Sequence, residues 1–131
     1  MSLKKAYYRS FQAVFNVGAR CLVWRKAKIV EGAGSINKIP ELLNGLKVKK
    51  PLVVTDPGLM KCGVAEQILT ILKNDKVEYA LYDQVEANPS TTTVMAIKEL
   101  YLSSNCDSII AIGGGSAMDA AKGAGVLVVH P

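Results

Sequence analysis

Histidine is almost missing from this chain. His130, beside the terminal proline, is the one example in 131 residues, and a metal centre built on several imidazoles is excluded. Cysteine is sparse as well. Cys21, Cys62 and Cys106 are odd in number, far apart and free of any C-x-x-C spacing. They read as reduced thiols of a cytosolic protein, not as a disulfide frame or a zinc site. No apolar run approaches the roughly 20 residues that a membrane-crossing helix requires. Acid is absent from residues 1–28, which carry Lys4, Lys5, Arg9, Arg20, Arg25, Lys26 and Lys28. From residue 29 onward nine basic residues face eleven acidic ones, a balance of −2. The net charge of +5 therefore belongs to an N-terminal arm. The remainder lacks the clustered basic and aromatic surface that nucleic acid demands, so nucleic acid is excluded as a partner.

What is present is hydrophobic patterning. In the arm, Leu3, Tyr7, Phe11, Val14, Phe15, Gly18 and Leu22 fall on one helical stripe, with Lys4, Lys5, Arg9 and Gln12 outside it. Such a stripe must be buried on its own domain, a second domain or a partner. A membrane-surface helix and an organelle presequence are the rival readings of the same arm. Residues 1–23 form this arm and residues 24–131 the folded domain.

Along that domain, Trp24–Glu31 reads as extended, and Gly32-Ala33-Gly34 as a turn. Ser35 is placed to cap a helix running to Leu43, with Pro40 in an early turn and Asn44-Gly45 ending it. Leu52–Thr55 is the clearest strand, and Asp56-Pro57-Gly58 reads as a turn directly after it. A helix over Val64–Lys73 follows, then a strand at Tyr79–Tyr82. Asn88-Pro89-Ser90 opens a helix that carries Val94, Ile97, Leu100 and Tyr101 inward. Strand alternates with helix through short connections, which makes this an α/β unit with a mainly parallel sheet and flanking helices.

The most informative stretch is Ile109–Ile112 followed by Gly113-Gly114-Gly115-Ser116-Ala117-Met118-Asp119. The aliphatic run reads as a strand buried on both faces, and the sequence after the glycines favours helix. Glycines let a main chain approach a phosphate closely, and a helix N-terminus offers unpaired N–H groups. The alternative is a mere tight turn. Ser116 and Asp119 have the spacing of a capping box. Neither familiar phosphate motif fits: a G-x-G-x-x-G pattern would need glycine where Met118 stands, and Lys122 does not follow a glycine as in a P-loop. In parallel sheets ligands bind beyond the carboxyl ends of the strands. Asp56, Asn88-Pro89 and Gly113–Ser116 all fall on that edge.

Arg25–Glu31, Gly32-Ala33-Gly34-Ser35-Ile36, Val53-Val54-Thr55-Asp56, Tyr82-Asp83, Asn88-Pro89-Ser90 and Gly113-Gly114-Gly115-Ser116-x-x-Asp119-x-x-Lys122 occur in one order. Together they resemble the N-terminal half of the iron-containing (group III) alcohol dehydrogenases, from about residue 24 to the end. The resemblance implies a Rossmann-like dinucleotide-binding domain whose helical, metal-binding companion domain is not in this chain. It implies that Gly114, Gly115 and Ser116 hold the pyrophosphate of NAD, with Ala117 and Met118 lining the same turn. Asp56 would face the adenosine ribose and repel a 2′-phosphate, which favours NAD over NADP. Against that role stands a plain solvent-facing turn aspartate; for Asn88, which would approach the cofactor, the bland alternative is a helix cap. Asp119 would lie towards the nicotinamide, or else serve only as a capping-box acid. Ala117 replaces the proline common in the family, softening the turn and adding an N–H donor.

In the family one Asp and three His from the helical domain bind iron or zinc, and those ligands are absent here, so no metal ligand and no catalytic residue is assigned. The implied reaction is reversible oxidation of an alcohol to an aldehyde or ketone by hydride transfer to NAD, with the isolated chain inactive. Apart from the resemblance, the reduced thiols point to a cytoplasmic setting and the short apolar runs to no membrane contact. The arm's apolar stripe, with the unfinished α/β unit, points to a homo-oligomer. A non-catalytic dinucleotide-binding or interaction module is one alternative, and a glycerol dehydrogenase or dehydroquinate-synthase relative another.

Overall fold

The computed structural model describes Tyr8, Arg9, Phe11, Gln12, Phe15 and residues 27–130. It divides into two compact units, Met1–Glu31 and Gly32–Pro131. In the first, the five described arm residues are helical, and the rings of Phe11 and Phe15 stack at 6.3 Å, as one helical turn allows. The rest of the apolar stripe lies outside the described residues. So do Trp24, Arg25 and Lys26, while residues 27–31 form no hydrogen-bonded strand.

The second unit opens with the expected glycine turn, closed by a bond from Ser35 N–H to the Gly32 carbonyl. The single helix expected next is split. A 3-10 turn, Ser35–Lys38, precedes helix α1, Ile39–Gly45. Pro40 explains the break, because it has no N–H to donate backwards and its ring crowds the preceding turn. Gly34, not Ser35, holds the N-cap position, and no side chain caps it.

Three strands follow: β1 (Pro51–Val54), β2 (Ala80–Tyr82) and β3 (Ser108–Ala111). They form a parallel sheet in the order β2-β1-β3, pairing Leu52 with Ala80 on one side and Ile109 on the other. Strand β1 is therefore central, and Leu52, Val53 and Val54 have no exposed surface. Ile109–Ile112 was the run expected to be buried on both faces. Instead, among the described residues β3 borders the sheet, Ser108, Ile109 and Ile110 are half-buried and Ala111 is exposed. A continuous aliphatic run is compatible with either position, and pairing decides which.

The helices divide between the faces for a geometric reason. From β1 the chain reaches β2 through α2 (Pro57–Lys61) and α3 (Val64–Asn74), then passes from β2 across β1 to β3 through α4 (Thr91–Ser103). The two crossovers run in opposite directions, so right-handedness puts their helices on opposite faces. Val53 packs with Leu43, Ala65, Leu69 and Leu72, whereas Leu52 and Val54 pack with Ile97, Ala120, Ala121 and Ala124. The last three belong to α5, Gly115–Val129. The smallness of its buried residues brings α5 close. A Cβ on its Gly123 would stand 3.2 Å from Val94 of α4. Together these layers make a Rossmann-like fold.

Two features outside the core packing are diagnostic. Thr55 is wholly buried, and its hydroxyl has no hydrogen-bond partner among the described residues. Thr55→Val should therefore raise stability by about 1 kcal/mol in urea unfolding; a loss would reveal a partner for the hydroxyl.

At the opposite end of the sheet, Asp107 accepts bonds from the N–H groups of Lys49 (2.7 Å) and Lys50 (3.2 Å) and from the Ser108 hydroxyl (3.3 Å). The Lys49 N–H bond, foremost, holds its carboxyl below the usual carboxylate range. A depressed folded value means the unfolded chain takes up the proton first. The contribution of Asp107 is thus complete above the unfolded value near 3.9 and lost as pH falls through the lower folded one. Asp107→Asn should flatten the acid-side loss of stability in that window, measured by urea unfolding at a series of pH values.

Candidate functional site

Because the helices that follow β1 and β3 pack on opposite faces of the sheet, the loops after these two strands part and leave a crevice at its carboxyl edge. Asp56 enters it directly after β1. Its backbone is extended, and its Oδ1 accepts a bond from Leu59 N–H at 3.0 Å, capping α2 with Pro57 in the first turn. The Asp56-Pro57-Gly58 segment is thus a helix start, not the turn its composition suggests. Half-buried and engaged through one oxygen, Asp56 is not a solvent-facing turn aspartate either.

On the other side, Ile112 N–H still pairs with the Val54 carbonyl, and three glycines follow. Gly113 has φ 144°, and a Cβ there would lie 3.0 Å from the Ala117 Cβ and 3.4 Å from Asp56 Oδ2. Glycine is required at this position by both backbone and packing. Gly114 and Gly115 differ. Gly114 is extended, Gly115 is helical, and a Cβ on either would meet nothing within 4 Å. Their missing side chains leave space above the crevice that no other described residue fills.

The expected capping box does not form. Helix α5 begins at Gly115, with Gly114 as its N-cap and no side-chain bond to the helix end. Ser116 is consequently the second helical residue and Asp119 lies beyond the first turn. The chain needs only Ile112, Gly113 and Gly114 to leave β3, so the helix starts two residues before a serine cap would allow. The first N–H groups of α5 thereby keep no capping acceptor.

Asp56, Ala87, Gly114, Gly115, Ser116 and Ala117 line a cleft of about 320 Å³. Five of the eight residues singled out in the sequence thus converge: Asp56, Gly114, Gly115, Ser116 and Ala117. Met118 does not join them, lining instead a separate groove of about 300 Å³ with Ile109, Ala111, Ala121, Lys122 and Gly125. Asn88 and Asp119 are exposed and line neither cavity. The helix-cap reading of Asn88 is corrected too. Ser90 caps α4, accepting from Thr93 N–H at 3.2 Å, and Asn88 stands two residues ahead with φ 57°. Sequence reasoning passed over Ala87, two residues after Val85, whose N–H donates to the carbonyl of Thr55, the residue that follows β1, at 3.2 Å. An isolated alanine carries no signal; proximity to Asn88-Pro89 was the available hint.

Among the described residues, no three His, Cys, Asp or Glu side chains come together as a metal site would require. Nor is any described helix long and apolar enough to cross a membrane.

A parallel sheet with a glycine loop and an uncapped helix at its crossover divergence is the ligand-binding architecture of Rossmann-like domains. The family model for iron-containing alcohol dehydrogenases matches residues 26–131, and the chain belongs to that family. It is 43% identical over 102 residues to choline dehydrogenase of Bacillus subtilis (strain 168), covering 78% of this chain and 25% of that enzyme. It superposes on the crystal structure of a 1,3-propanediol oxidoreductase with TM-score 0.73 and 37% identity, over 76% of this chain and 26% of the other. Sulfoacetaldehyde reductase from Bifidobacterium kashiwanohense, solved in complex with NAD+, matches at TM-score 0.64 and 26% identity, over 77% and 27%. The chain thus spans about a quarter of the length of these relatives.

The glycine contrasts give a direct expectation. Gly113→Ala should destabilise the fold by about 1–3 kcal/mol, through its positive φ and the contact with Ala117. Gly114→Ala should leave thermal unfolding nearly unchanged. Equal losses at both positions would show that Gly114 is also packed against protein.

Proposed function

We propose that this chain is the NAD-binding part of a metal-dependent alcohol dehydrogenase, one that interconverts a small alcohol and its aldehyde or ketone. The observation that carries this reading is the cleft itself. Asp56 and the uncapped N-terminal residues of α5 line the same space, Oδ1 of Asp56 is held by Leu59 N–H, and no described residue occupies the room above Gly114 and Gly115. The first N–H groups of α5 bind the pyrophosphate, assisted by the partial positive charge of the helix end. Gly114 and Gly115 allow the phosphates to approach the main chain, and Ser116 offers a hydroxyl beside them.

Asp56 Oδ2 accepts from the ribose hydroxyls, while Oδ1 stays on Leu59 N–H. A 2′-phosphate at the same place would meet the carboxylate, and NAD is preferred to NADP. When bound, the nicotinamide supplies the hydride acceptor. Asn88, Met118 and Asp119 serve the cofactor only if it extends beyond the cleft along the carboxyl edge. This chain assigns no catalytic residue and no metal ligand; iron or zinc belongs with residues of the helical domain seen in the family. The isolated chain is accordingly inactive as an enzyme, and its three separate thiols suit a cytoplasmic setting. The apolar stripe of the arm and the outer edge of β3, which has no strand partner among the described residues, favour a homo-oligomer.

Calorimetric titration of the 131-residue chain with NAD and NADP tests the reading. NAD should bind, NADP should bind more weakly, and Asp56→Ala should reduce the difference by roughly tenfold. A folded chain that binds neither, or that binds both equally before and after the substitution, refutes it. Metal-dependent NADH formation from an alcohol by this chain alone would overturn the expected inactivity.

A further inference from the structure

The Asp56 carboxylate is bounded on two sides by side chains that are missing. A Cβ on Gly58 would stand 2.9 Å from Oδ1, and one on Gly113 3.4 Å from Oδ2. Gly113 needs to be glycine for its backbone anyway, so it carries little of the argument. Gly58 is the telling residue. It lies inside α2 without a positive φ, where alanine is the better helix former. Its composition suggests a Pro-Gly turn, but the segment is helical, and that explanation falls away. Among the described residues, and apart from its chain neighbours and the backbone of its own helix, the Gly58 Cβ position meets Asp56 Oδ1 alone within 4 Å.

We propose that Gly58 is a positioning residue for cofactor choice: its missing side chain leaves the slot in which Asp56 keeps Oδ1 on Leu59 N–H and turns Oδ2 towards the glycine loop. The proposal rests on the reading of Asp56 as the ribose contact. A methyl group at residue 58 lies inside contact distance of Oδ1, and the end of a side chain yields more easily than backbone. The carboxylate then leaves Leu59 N–H and no longer presents Oδ2 to the ribose. Gly58 acts on the cofactor only through Asp56.

The test is Gly58→Ala in the full chain, alone and combined with Asp56→Ala, with three readouts. These are thermal unfolding, the Leu59 amide resonance in nitrogen-15-labelled protein without ligand, and the affinities for NAD and NADP. Gly58→Ala should melt within about 3 °C of the wild type. It should move the Leu59 amide resonance as Asp56→Ala does, and weaken NAD binding roughly tenfold with NADP much less affected. In the Asp56→Ala background it should change NAD affinity by no more than about twofold.

An unmoved Leu59 amide overturns the proposal. So does equal weakening of both cofactors in both backgrounds, and so does a large loss of stability, since the carboxylate would then not be what yields. If Asp56→Ala leaves the NAD preference intact while Gly58→Ala still moves the amide, the ribose reading fails and the positioning of the carboxylate stands. Where a folded chain binds neither cofactor, the role in cofactor choice falls with the ribose reading, and the Leu59 amide decides only whether Gly58 positions the carboxylate.

Discussion

The arrangement depends on one burial constraint: β1 must be covered on both faces and paired on both edges. Leu52, Val53 and Val54 have no exposed surface, and burying three aliphatic side chains stabilises the domain by about 5–9 kcal/mol before conformational entropy is counted. That coverage is possible only if the chain leaves β1 first in one direction and then returns across it. The same reversal parts the loops after β1 and β3. The crevice is thus a by-product of covering the central strand, present before any ligand is considered.

Two helices begin at that crevice, and they are treated differently. Helix α2 is capped by Asp56, an interaction worth about 1 kcal/mol in typical helices. Helix α5 has no side-chain cap, although Ser116 is near enough in sequence to have supplied one. Leaving the N–H groups to water forgoes a similar amount, small beside the burial of Ala117, Ala120, Ala121 and Ala124 that holds α5 on the sheet. The fold can therefore keep α5 uncapped at little loss, and a helix end with free donors is what an anion requires.

How much of this could be read from residues alone divides along physical lines. The order of elements and the parallel sheet were legible, because apolar periodicity reports which residues are buried. The position of a strand within the sheet was not. Ile109–Ile112 is as aliphatic as Leu52–Val54, yet it borders the sheet, and only long-range pairing distinguishes the two. Capping was the least legible layer. Asp56-Pro57-Gly58 and Ser116-x-x-Asp119 have the composition of a turn and a capping box, and the structure makes of them a capped helix and an uncapped one. Caps depend on where a helix starts, and a shift of two residues is invisible to spacing arguments.

That shift also explains how the candidate residues divide. Along α5 each residue turns the side chain by about 100°, so neighbours in sequence face different surroundings. Ala117 faces the core and the cleft, while Met118, one step round, faces the groove beside β3. A motif written as consecutive letters suggests one surface; a helix distributes it over several. Asp56 and Ala117, distant in sequence, share a cleft that Ala117 and Met118 do not. The cleft is a property of the loops that part after paired strands, and the glycine motif marks its position without enumerating its walls.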